Sequence, residues 1–543
     1  MESESLIEWG LEIPRDYYMG NGGLMKEDIT LQSITKKVSE EFNGILRANL
    51  YEIGLKNDEM QRLRKRKNEL REALGNTGVG DLYAKNMVKA TIKDILIQKL
   101  GINKDNIGKI ILFDDTKRMS VKDKFDILLF DYKKKYGNNA LTILFEDNGL
   151  LEAVGDADGF SYKVDEDDIK HIYEMSSKPL RFVDRLDILV QRVYEMYRGL
   201  GVVDEIRDMN IDGVSGGVSG AEGEWNSVWV FIKGKTVHLS FLDFESEDEL
   251  KRICMNCYTY GHPGQLSMSK GYIINEMKDH SRVVVVRPPF SESFAFFVRK
   301  FDTIENKKLE ELITDEGAEC VIDVLKWIVK GCQVTGITGA QGSGKTTLLM
   351  ALIKYIHPAY TLRIQETSFE LHLREVYRDR NILTFQETES ISGQDGLDLQ
   401  KKTDGVVNIL GEVSTAPVAS WLVQMSMVGS LFTMFTHHAK TTISLIRYLR
   451  NSLLSCASFS NEKIAQEQVV EAVRFDVHME KDVYGHRYVD RITEIIAVGD
   501  DGGFDVNDIV RYEDGKYIRC GDFSKEVKRD IVRKLTKNEL SES

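Results

Sequence analysis

One eight-residue segment constrains what this chain can fold into more than any other feature. The run GAQGSGKT, from Gly339 to Thr346, fits the pattern GxxxxGK(S/T) at every fixed position. An apolar run ends at Thr338 just before it, and a helical pattern begins at Lys345. Between a strand and a helix, such glycines let backbone N–H groups surround a phosphate at the positive end of the helix dipole. The segment therefore predicts a phosphate-binding loop, or P-loop, with a structural glycine turn as the alternative.

The residues of this loop have distinct roles in that prediction. Lys345 can reach the β- and γ-phosphates of a nucleotide, and the hydroxyl group of Thr346 can bind Mg²⁺. We therefore expect ATP and Mg²⁺ as ligands, with Thr346 as the metal ligand. The nucleotide-binding residues predicted in this segment are Gly339, Ala340, Gln341, Gly342, Ser343, Gly344, Lys345, Thr346 and Thr347.

The chain around the loop alternates strand and helix patterns from about residue 308 to about 500. It contains the strand-like runs TLRIQE, NILTFQE, VVNILGEV and SLFTMFTH, separated by helical patterns. Such alternation predicts a mostly parallel sheet with helices on both faces, hence an α/β fold. Parallel strands present their carboxyl ends at one rim, so residues that follow different strands are expected to meet there.

Acidic residues follow two of these strands. The run VVNILGEV leads to Glu412, which can polarise an attacking water or hold the metal's second shell. The run RIQETSFEL places Glu366 and Glu370 after another strand, where we expect both near the same phosphates. The alternatives are an ordinary strand-end glutamate for the first run and a salt-bridged surface pair for the second.

The strand-like run in SLFTMFTHHAK ends in two histidines, His437 and His438. Adjacent residues of a strand point to opposite faces, so at most one of the two can face the site. From the pattern alone, a structural role is the commoner one for a histidine at the end of a strand.

The remaining sequence divides into further segments. With 543 residues the chain is long enough for about three domains. Residues 32–73 have helical spacing, whereas KIILF and LTILFE are strand-like and DGVSGGVSGAEGE is typical of a flexible loop. The predicted segments are a loose leader (1–30), a helix-rich N-terminal region (31–182), a small α+β domain (183–304), the P-loop domain (305–500) and a C-terminal appendage (501–543).

Charge and apolar content exclude several classes of protein. The net charge of −14 argues against a general polyanion binder, and we expect no direct contact with nucleic acid. No run approaches the roughly 18 apolar residues of a membrane helix, and the start MESESLIEWG lacks a signal-peptide pattern. We therefore expect a cytoplasmic protein.

Two local patterns have both a structural and a functional interpretation. The basic residues at 62–67 indicate either a contact with anionic lipid or nucleic acid or a solvated helix face, and we favour the solvated face. Cys254 and Cys257 form the sequence's CxxC pair, but a structural zinc site usually needs four ligands. We interpret these two cysteines as buried and inert.

The motifs, taken in order, resemble the secretion ATPase superfamily, which powers type II secretion, type IV pili and type IV secretion. The similar segments are GAQGSGKTTLL (Walker A), RIQETSFEL (Asp box), NILGEV (Walker B), GSLFTMFTHHA (His box), GLGVVDEIRDMNIDGVSGG and SRVVVVRPPFSESFAFFVRKF before the ATPase domain, and RYVDRITEIIAV at its close. The resemblance covers about residues 185–498 and is strongest to the CpaF-like branch, the Tad/Flp pilus assembly ATPases. The CxxC pair lies upstream of the P-loop, which disfavours the type II secretion branch.

This resemblance implies a RecA-like motor domain preceded by a small α+β domain and a mixed, helix-rich region. It gives Lys345 and Thr346 the phosphate and magnesium roles, and it makes Glu412 the Walker B glutamate. ATP would then lie between the α+β domain and the P-loop domain.

The resemblance also implies roles for residues outside the P-loop. Glu366 and Glu370 take the acidic Asp-box roles, and His438 takes the role of the second His-box histidine. Arg282 and Arg299 become the arginines that reach toward nucleotide at a subunit boundary, with surface or structural arginines as the alternative.

For the whole protein, the resemblance implies a homo-hexameric cytoplasmic ATPase at the inner face of the cell membrane. It would power pilus assembly or protein or DNA secretion through an integral-membrane platform protein. The alternatives are a nucleotide-binding structural or regulatory subunit with little turnover and a nucleic-acid translocase, against which the net charge counts. Three departures motivate the first alternative, because Ser414, Ser430 and Gln400 stand where the family has arginine, histidine and arginine.

Overall fold

The computed structural model forms two compact units, unit 1 within Met1–Lys300 and unit 2 within Phe301–Ser543. Most of the predicted leader, residues 1–29, lies outside the described residues. The structure describes residues 30–48, 57–152, 154–156, 159–176, 178–218, 227–300, 307–366, 369–388, 391–499 and 502–535.

Unit 1 combines helices with a mixed sheet. Its helices are α1 (Leu31–Arg47), α2 (Asn57–Gly75), α3 (Leu82–Asp94), α4 (Val121–Tyr136), α5 (Ala140–Asp147), α6 (Glu166–Ser176), α7 (Phe182–Tyr197), α8 (Asp204–Arg207) and α9 (Glu247–Cys257). Its strands are β1 (Val154–Asp156), β2 (Gly159–Val164), β3 (Gly213–Val218), β4 (Ser227–Ile232), β5 (Lys235–Asp243), β6 (Tyr272–Glu276), β7 (Arg282–Val286) and β8 (Ala295–Arg299).

The sheet of unit 1 has the order β1-β2-β5-β4-β3-β8-β7-β6. Strands β2 and β5 are parallel, and the other neighbouring pairs are antiparallel. Strand β2 comes from the predicted helix-rich region, and β5 comes from the predicted α+β domain. One hydrophobic core extends from Ile34 on α1 to Val298 on β8, so the helices and the sheet bury their apolar side chains together.

Two runs with strand-like composition are not strands. LTILFE lies within α5, where Leu141, Leu144 and Phe145 are buried. KIILF begins with the last residue of a short 3₁₀ helix, Ile107–Lys109, and continues without strand structure. Both strand predictions are wrong, because a short apolar run satisfies helical and extended spacing alike. In LTILFE, the buried apolar positions recur three and four residues apart, which is the spacing of one helix face.

The prediction of a flexible loop at DGVSGGVSGAEGE is wrong for residues Gly213–Val218. They form β3, which pairs with β4 and β8 inside the sheet. A Cβ atom at Gly216 would lie 2.6 Å from the ring of Phe296. A Cβ atom at Gly217 would lie 2.2 Å from the carbonyl oxygen of Phe294, and its φ is +79°. The glycines of β3 therefore permit a close approach of neighbouring strands and side chains.

A buried ionic cluster, the Lys85 cluster, connects α3 with α8. The Lys85 Nζ lies 2.5 Å from Asp204, 2.6 Å from Asp208 and 3.4 Å from Glu205. Burial lowers the pKa of Lys85, but the neighbouring carboxylates raise it by more, so the pKa lies well above its ordinary value. The cluster therefore holds a charged lysine inside unit 1.

The predictions of inert cysteines and of a solvated basic helix face concern side chains of α9 and α2. Cys254 and Cys257 are buried free thiols on α9. Burial raises the pKa of both, that of Cys257 to about 12, which keeps them protonated and unreactive. The basic run lies on α2, where Arg62, Arg64 and Lys65 are exposed.

Unit 2 contains the P-loop. Its helices are α10 (Leu309–Leu312), α11 (Ala318–Lys330), α12 (Lys345–Ile353), α13 (Leu373–Val376), α14 (Gly393–Gln400), α15 (Ala416–Val428), α16 (Thr442–Ser455), α17 (Glu462–Ala472) and α18 (Lys525–Lys534). Its strands are β9 (Thr335–Gly339), β10 (Leu362–Glu366), β11 (Ile382–Gln386), β12 (Val407–Leu410), β13 (Phe432–His437), β14 (Phe475–Lys481), β15 (Arg487–Val498), β16 (Gly503–Glu513) and β17 (Lys516–Arg519).

The sheet of unit 2 has the order β11-β10-β12-β13-β9-β14-β15-β16-β17. The strands from β11 to β14 in this order are parallel, and β15, β16 and β17 extend the sheet in antiparallel fashion. Strands β16 and β17 lie in the predicted C-terminal appendage, yet they pair with this sheet. The predicted fold class, an α/β RecA-like P-loop domain preceded by mixed α and β structure, is confirmed. Within the described ranges, no helix has the length and apolar character needed to cross a membrane.

Candidate nucleotide-binding site

The candidate site lies at one rim of the sheet in unit 2, where four parallel strands end. In spatial order these are β10, β12, β13 and β9, which end at Glu366, Leu410, His437 and Gly339. The register places Leu410 opposite Phe435 and His437 opposite Thr338, so the segments after the strands emerge side by side. The sequence prediction of a shared rim is therefore confirmed by the sheet topology.

The P-loop backbone depends on its glycines. Gly339, Gly342 and Gly344 have φ angles of +139°, +77° and +96°, which residues with a Cβ atom rarely adopt. A Cβ atom at Gly339 would also lie 2.1 Å from the carbonyl oxygen of Met479. Gly344 directly precedes α12, so the loop leads its N–H groups to a helix N-terminus, the arrangement that binds phosphate.

Lys345 is buried at the centre of the P-loop. Its Nζ donates hydrogen bonds to the carbonyl oxygens of Gly339, at 3.0 Å, and Ala340, at 2.7 Å. The Ser343 hydroxyl donates to the same Ala340 oxygen at 2.9 Å. These bonds hold the ammonium group against the inside of the loop. The exposed or half-buried residues predicted beside it are Gln341, Thr346 and Thr347.

His438 lies between Lys345 and Glu412. Its Nδ1 accepts a hydrogen bond from Lys345 Nζ at 3.4 Å, and its Nε2 lies 3.3 Å from Glu412 Oε1. Because an ammonium group can only donate, a neutral His438 ring carries its proton on Nε2, toward Glu412. The structure thus brings the lysine of the P-loop, the histidine after β13 and the glutamate after β12 into one chain of contacts.

His437 has a different environment from its neighbour. It is buried, its Nδ1 lies 2.7 Å from the carbonyl oxygen of Val413, and its ring centroid lies 4.3 Å from that of Tyr448. Burial lowers the pKa of His437, so the neutral ring is favoured. As expected for neighbours at a strand end, His437 and His438 do not share one environment.

Glu366 is buried next to the end of β12. Its Oε1 accepts hydrogen bonds from the backbone N–H groups of Glu370, at 2.9 Å, and Leu371, at 3.0 Å. A Cβ atom at Gly411 would lie 2.9 Å from the Glu366 Cγ, which explains the glycine before Glu412. Glu366 therefore lies at the rim, and Glu370 contributes a backbone donor to it.

Arg282 and Arg299 belong to unit 1. They are directly opposite residues of β7 and β8, so they lie on one face of that sheet. Since the P-loop belongs to unit 2, the predicted approach of these arginines to nucleotide stays a prediction.

A buried polar cluster that was not predicted from the sequence lies beside the P-loop strand. The Thr338 hydroxyl donates to Asp476 Oδ1 at 2.5 Å and lies 2.8 Å from His478 Nδ1, while Thr442 donates to Asp476 Oδ2 at 2.6 Å. The run FDVHME contains a polar residue at every second position, and this alternation was the available signal. The alternation alone does not show that these side chains contact Thr338, because that contact depends on the pairing of β14 with β9.

Arg487, the first residue of β15, also contacts the P-loop and was not predicted from the sequence. Its Nε donates a hydrogen bond to the carbonyl oxygen of Gly342 at 3.0 Å. The two residues are separated by 145 positions in the chain, and no motif connects them. Only the pairing of β14 with β9 and of β15 with β14 brings them together.

Together, the glycine loop at the start of α12, the buried lysine and the carboxylate beyond β12 define a P-loop nucleotide-binding domain. Residues 289–470 match the family described as "T2SSE: Type II/IV secretion system protein". Over residues 289–470 this match confirms the resemblance to type II/IV secretion ATPases that the sequence motifs predicted. The CpaF-like branch stays a prediction. Among curated proteins, none matches the chain.

Several solved structures are similar to the chain at low sequence identity. The VirB11 ATPase from the Brucella suis type IV secretion system, in complex with sulphate, is 17% identical over 52% of this chain and 89% of its own, with a TM-score of 0.30. The Legionella pneumophila ATPase DotB is 17% identical over 68% and 88%, with a TM-score of 0.39. The pilus retraction motor PilT, with bound ADP, is 15% identical over 63% and 88%, with a TM-score of 0.40. At these values the likeness adds nothing to the fold that the sheet order defines.

Proposed function

We propose that unit 2 binds ATP with Mg²⁺ and hydrolyses it to ADP and phosphate. The observation that carries this proposal is the chain of contacts from Lys345 through His438 to Glu412, directly beside the P-loop. A P-loop alone accounts for binding. A carboxylate held at the same rim adds a group that can accept a proton from an attacking water.

In this proposal each residue has a defined task. The N–H groups of the P-loop and the Lys345 ammonium bind the β- and γ-phosphates and offset their charge. Glu412 orients the attacking water and accepts its proton, while His438 is a positioning residue that holds the Glu412 carboxylate toward the loop. Glu366 and Glu370 take the acidic Asp-box roles beside Glu412.

The residues at the rim fit a magnesium ion. The Thr346 hydroxyl lies in the first turn of α12, Glu366 is the last residue of β10, and Glu412 follows the neighbouring strand β12. Hydroxyl and carboxylate oxygens are the ligands that this hard cation prefers. When bound, Mg²⁺ would supply positive charge that offsets the negative charge of the phosphates.

We further propose that hydrolysis drives a motor of a secretion or pilus system. The family match over residues 289–470 supports this class of machine. In the proposed arrangement a cytoplasmic homo-hexamer acts on an integral-membrane platform protein at the inner face of the membrane. Arg282 and Arg299 reach toward the nucleotide at a subunit boundary.

Two variants of the purified full chain test the binding and hydrolysis steps separately. Lys345→Ala should abolish binding of a fluorescent ATP analogue, because it removes the cation that offsets the phosphate charge. Glu412→Gln should retain binding but slow hydrolysis roughly 10²- to 10⁴-fold, the usual contribution of a general base. Lys354→Ala and Glu471→Gln, at exposed positions of the same unit, are the matched controls.

The outcomes separate the proposal from its alternative. Hydrolysis by Glu412→Gln at the wild-type rate would reject Glu412 as the base, and binding by Lys345→Ala at wild-type affinity would reject the P-loop as the site. Wild-type protein that binds ATP without hydrolysing it in a single-turnover assay would favour a regulatory or structural subunit. The substitutions at Ser414, Ser430 and Gln400 would then account for the loss.

A further inference from the structure

The hairpin formed by β14 and β15 packs along the side of the P-loop. Strand β14 runs parallel to β9, with His478 opposite Thr338 and Met479 opposite Gly339. The carbonyl oxygen of Met479 occupies the space where a Cβ atom of Gly339 would lie. The hairpin therefore contacts the P-loop from its first glycine onward.

A buried cluster fixes the register of this contact. Thr338, the residue before Gly339, is hydrogen-bonded to Asp476 and lies 2.8 Å from the Nδ1 of His478, both on β14. The side chains of all three are buried. A slip of β14 along β9 would leave these polar groups without partners inside the unit, which is unfavourable. The hairpin is thus held at one position relative to the P-loop.

The turn of the hairpin is also fixed. The Asp482 Oδ1 accepts hydrogen bonds from the N–H groups of Tyr484 and His486, both at 2.9 Å. The Asp482 N–H donates to the carbonyl oxygen of His486 at 3.0 Å. The His486 Nε2 lies 3.2 Å from Asp315 Oδ2. The turn therefore delivers the next residue, Arg487, to a defined place.

Arg487 lies over the last glycines of the P-loop. Its Nε donates to the carbonyl oxygen of Gly342, and its Cδ lies 3.5 Å from the point where a Cβ atom of Gly344 would stand. Lys345 follows Gly344 directly. Two cationic side chains thus converge on the same few residues, at the N-terminus of α12.

A bound anion makes a second cation at this place more favourable. The N-terminus of a helix carries partial positive charge, and Lys345 adds a full charge, so both repel a guanidinium. A polyphosphate reverses the sign of these interactions, and the planar guanidinium offers donors in the geometry of phosphate oxygens. We infer that Arg487 is a further nucleotide-binding residue, whose guanidinium contacts the polyphosphate held by the P-loop. This inference rests on the proposed nucleotide site.

Equilibrium titration of the full chain with a fluorescent ATP analogue and Mg²⁺ tests the inference. We expect Arg487→Gln to weaken binding about tenfold at low salt, as the loss of one charge-assisted hydrogen bond does. Arg487→Lys keeps the charge and should stay within about threefold of wild type. Arg511→Gln, which removes an exposed arginine of β16 paired with Asp508, is the control and should change nothing.

A second titration at roughly 1 M NaCl distinguishes an electrostatic contact of Arg487 with phosphate from a purely structural role of Arg487 in holding Gly342. The Debye length there is about 3 Å, so a contact between Arg487 and phosphate is screened and the deficit of Arg487→Gln should shrink. A deficit that salt leaves unchanged would overturn the inference, as would wild-type affinity in Arg487→Gln or equal losses with lysine and glutamine.

The same titrations distinguish the inference from the proposed function. If wild-type protein binds the ATP analogue and Lys345→Ala does not, the P-loop is the binding site. The Arg487 variants alone then test the role of Arg487. If wild-type protein binds no nucleotide, the proposed function fails and the inference fails with it.

Discussion

Glu195 is a buried carboxyl group on α7, surrounded by charges of both signs. Gln191 Nε2 donates to its Oε1 at 3.0 Å, and Lys122 Nζ lies 3.5 Å from its Oε2. Burial raises the pKa of Glu195 to about 7, and the neighbouring carboxylates of Asp126 and Asp204 contribute to the rise while Lys122 opposes it. The folded protein therefore takes up a proton near neutral pH that a solvated glutamate would not hold.

This shift makes the stability of the fold depend on pH in a definite direction. Between pH 4.5 and about 7 the folded state binds the Glu195 proton while the unfolded state has lost it, so Glu195 lowers the free energy of unfolding as pH rises. We expect Glu195→Gln to be more stable than wild type above pH 7 and to lose this part of the pH dependence. Urea unfolding below pH 4.5 and above pH 7 measures this difference in the free energy of unfolding.

The control for this prediction is Glu166→Gln, which removes an exposed carboxylate from α6. It should leave the pH dependence of unfolding close to that of wild type. A pH dependence in Glu195→Gln equal to wild type would show that the Glu195 proton is not taken up on folding.

Strand β3 shows how an element can depend on residues that usually disfavour it. Its glycines lie between two neighbouring strands, and Gly217 has both a positive φ and a backbone oxygen in the space of a Cβ atom. We expect Gly217→Ala to lower the free energy of unfolding by about 1–3 kcal/mol, from backbone strain and steric conflict. Denaturant unfolding of the purified variant measures this change.

Gly44→Ala is the matched control on helix α1. Nothing lies within 4 Å of the position where its Cβ atom would be, and alanine favours a helix over glycine by about 1 kcal/mol. This variant should therefore be more stable than wild type. If Gly217→Ala were as stable as Gly44→Ala, the close packing around β3 would not be what requires the glycine.

Elements with a strong local signal could be predicted from the sequence. The P-loop and the strands leading to Glu366, Glu412 and His438 each carry their own pattern, and parallel topology brings them to one rim. The strand β3 and the helix α5 could not be predicted, because glycine content and short apolar runs do not encode the packing that decides them. Arg487 could not be predicted because its contact depends on strand pairing between distant segments.

At the scale of the whole molecule, each of the two units has its own hydrophobic core. We therefore expect residues 301–543 alone to fold and to bind ATP with Mg²⁺, with an added stability of about 2.7 kcal/mol at a nucleotide concentration of 100 times Kd. If Arg282 and Arg299 act on the nucleotide, this fragment should hydrolyse ATP roughly a thousandfold more slowly than the full chain. Thermal unfolding with and without nucleotide, and ATPase rates, measure the two effects.

Each part of this prediction has its own contrary result. A fragment 301–543 that does not unfold cooperatively would mean that its core needs unit 1. Equal hydrolysis by the fragment and the full chain would remove Arg282 and Arg299 from the reaction. The double variant Arg282→Gln and Arg299→Gln in the full chain is the matched comparison.

The Lys85 cluster has a consequence for how this chain can change during evolution. Asp204, Glu205 and Asp208 lie on or beside α8, while the lysine that neutralises them comes from α3, more than a hundred positions earlier. Losing one partner of a buried ionic group costs about 3–5 kcal/mol, so neither side is free to drift alone. A descendant that discards α3 must replace these acids with neutral residues at the same time. We therefore expect α3 and the acidic segment at Asp204–Asp208 to be kept or lost together.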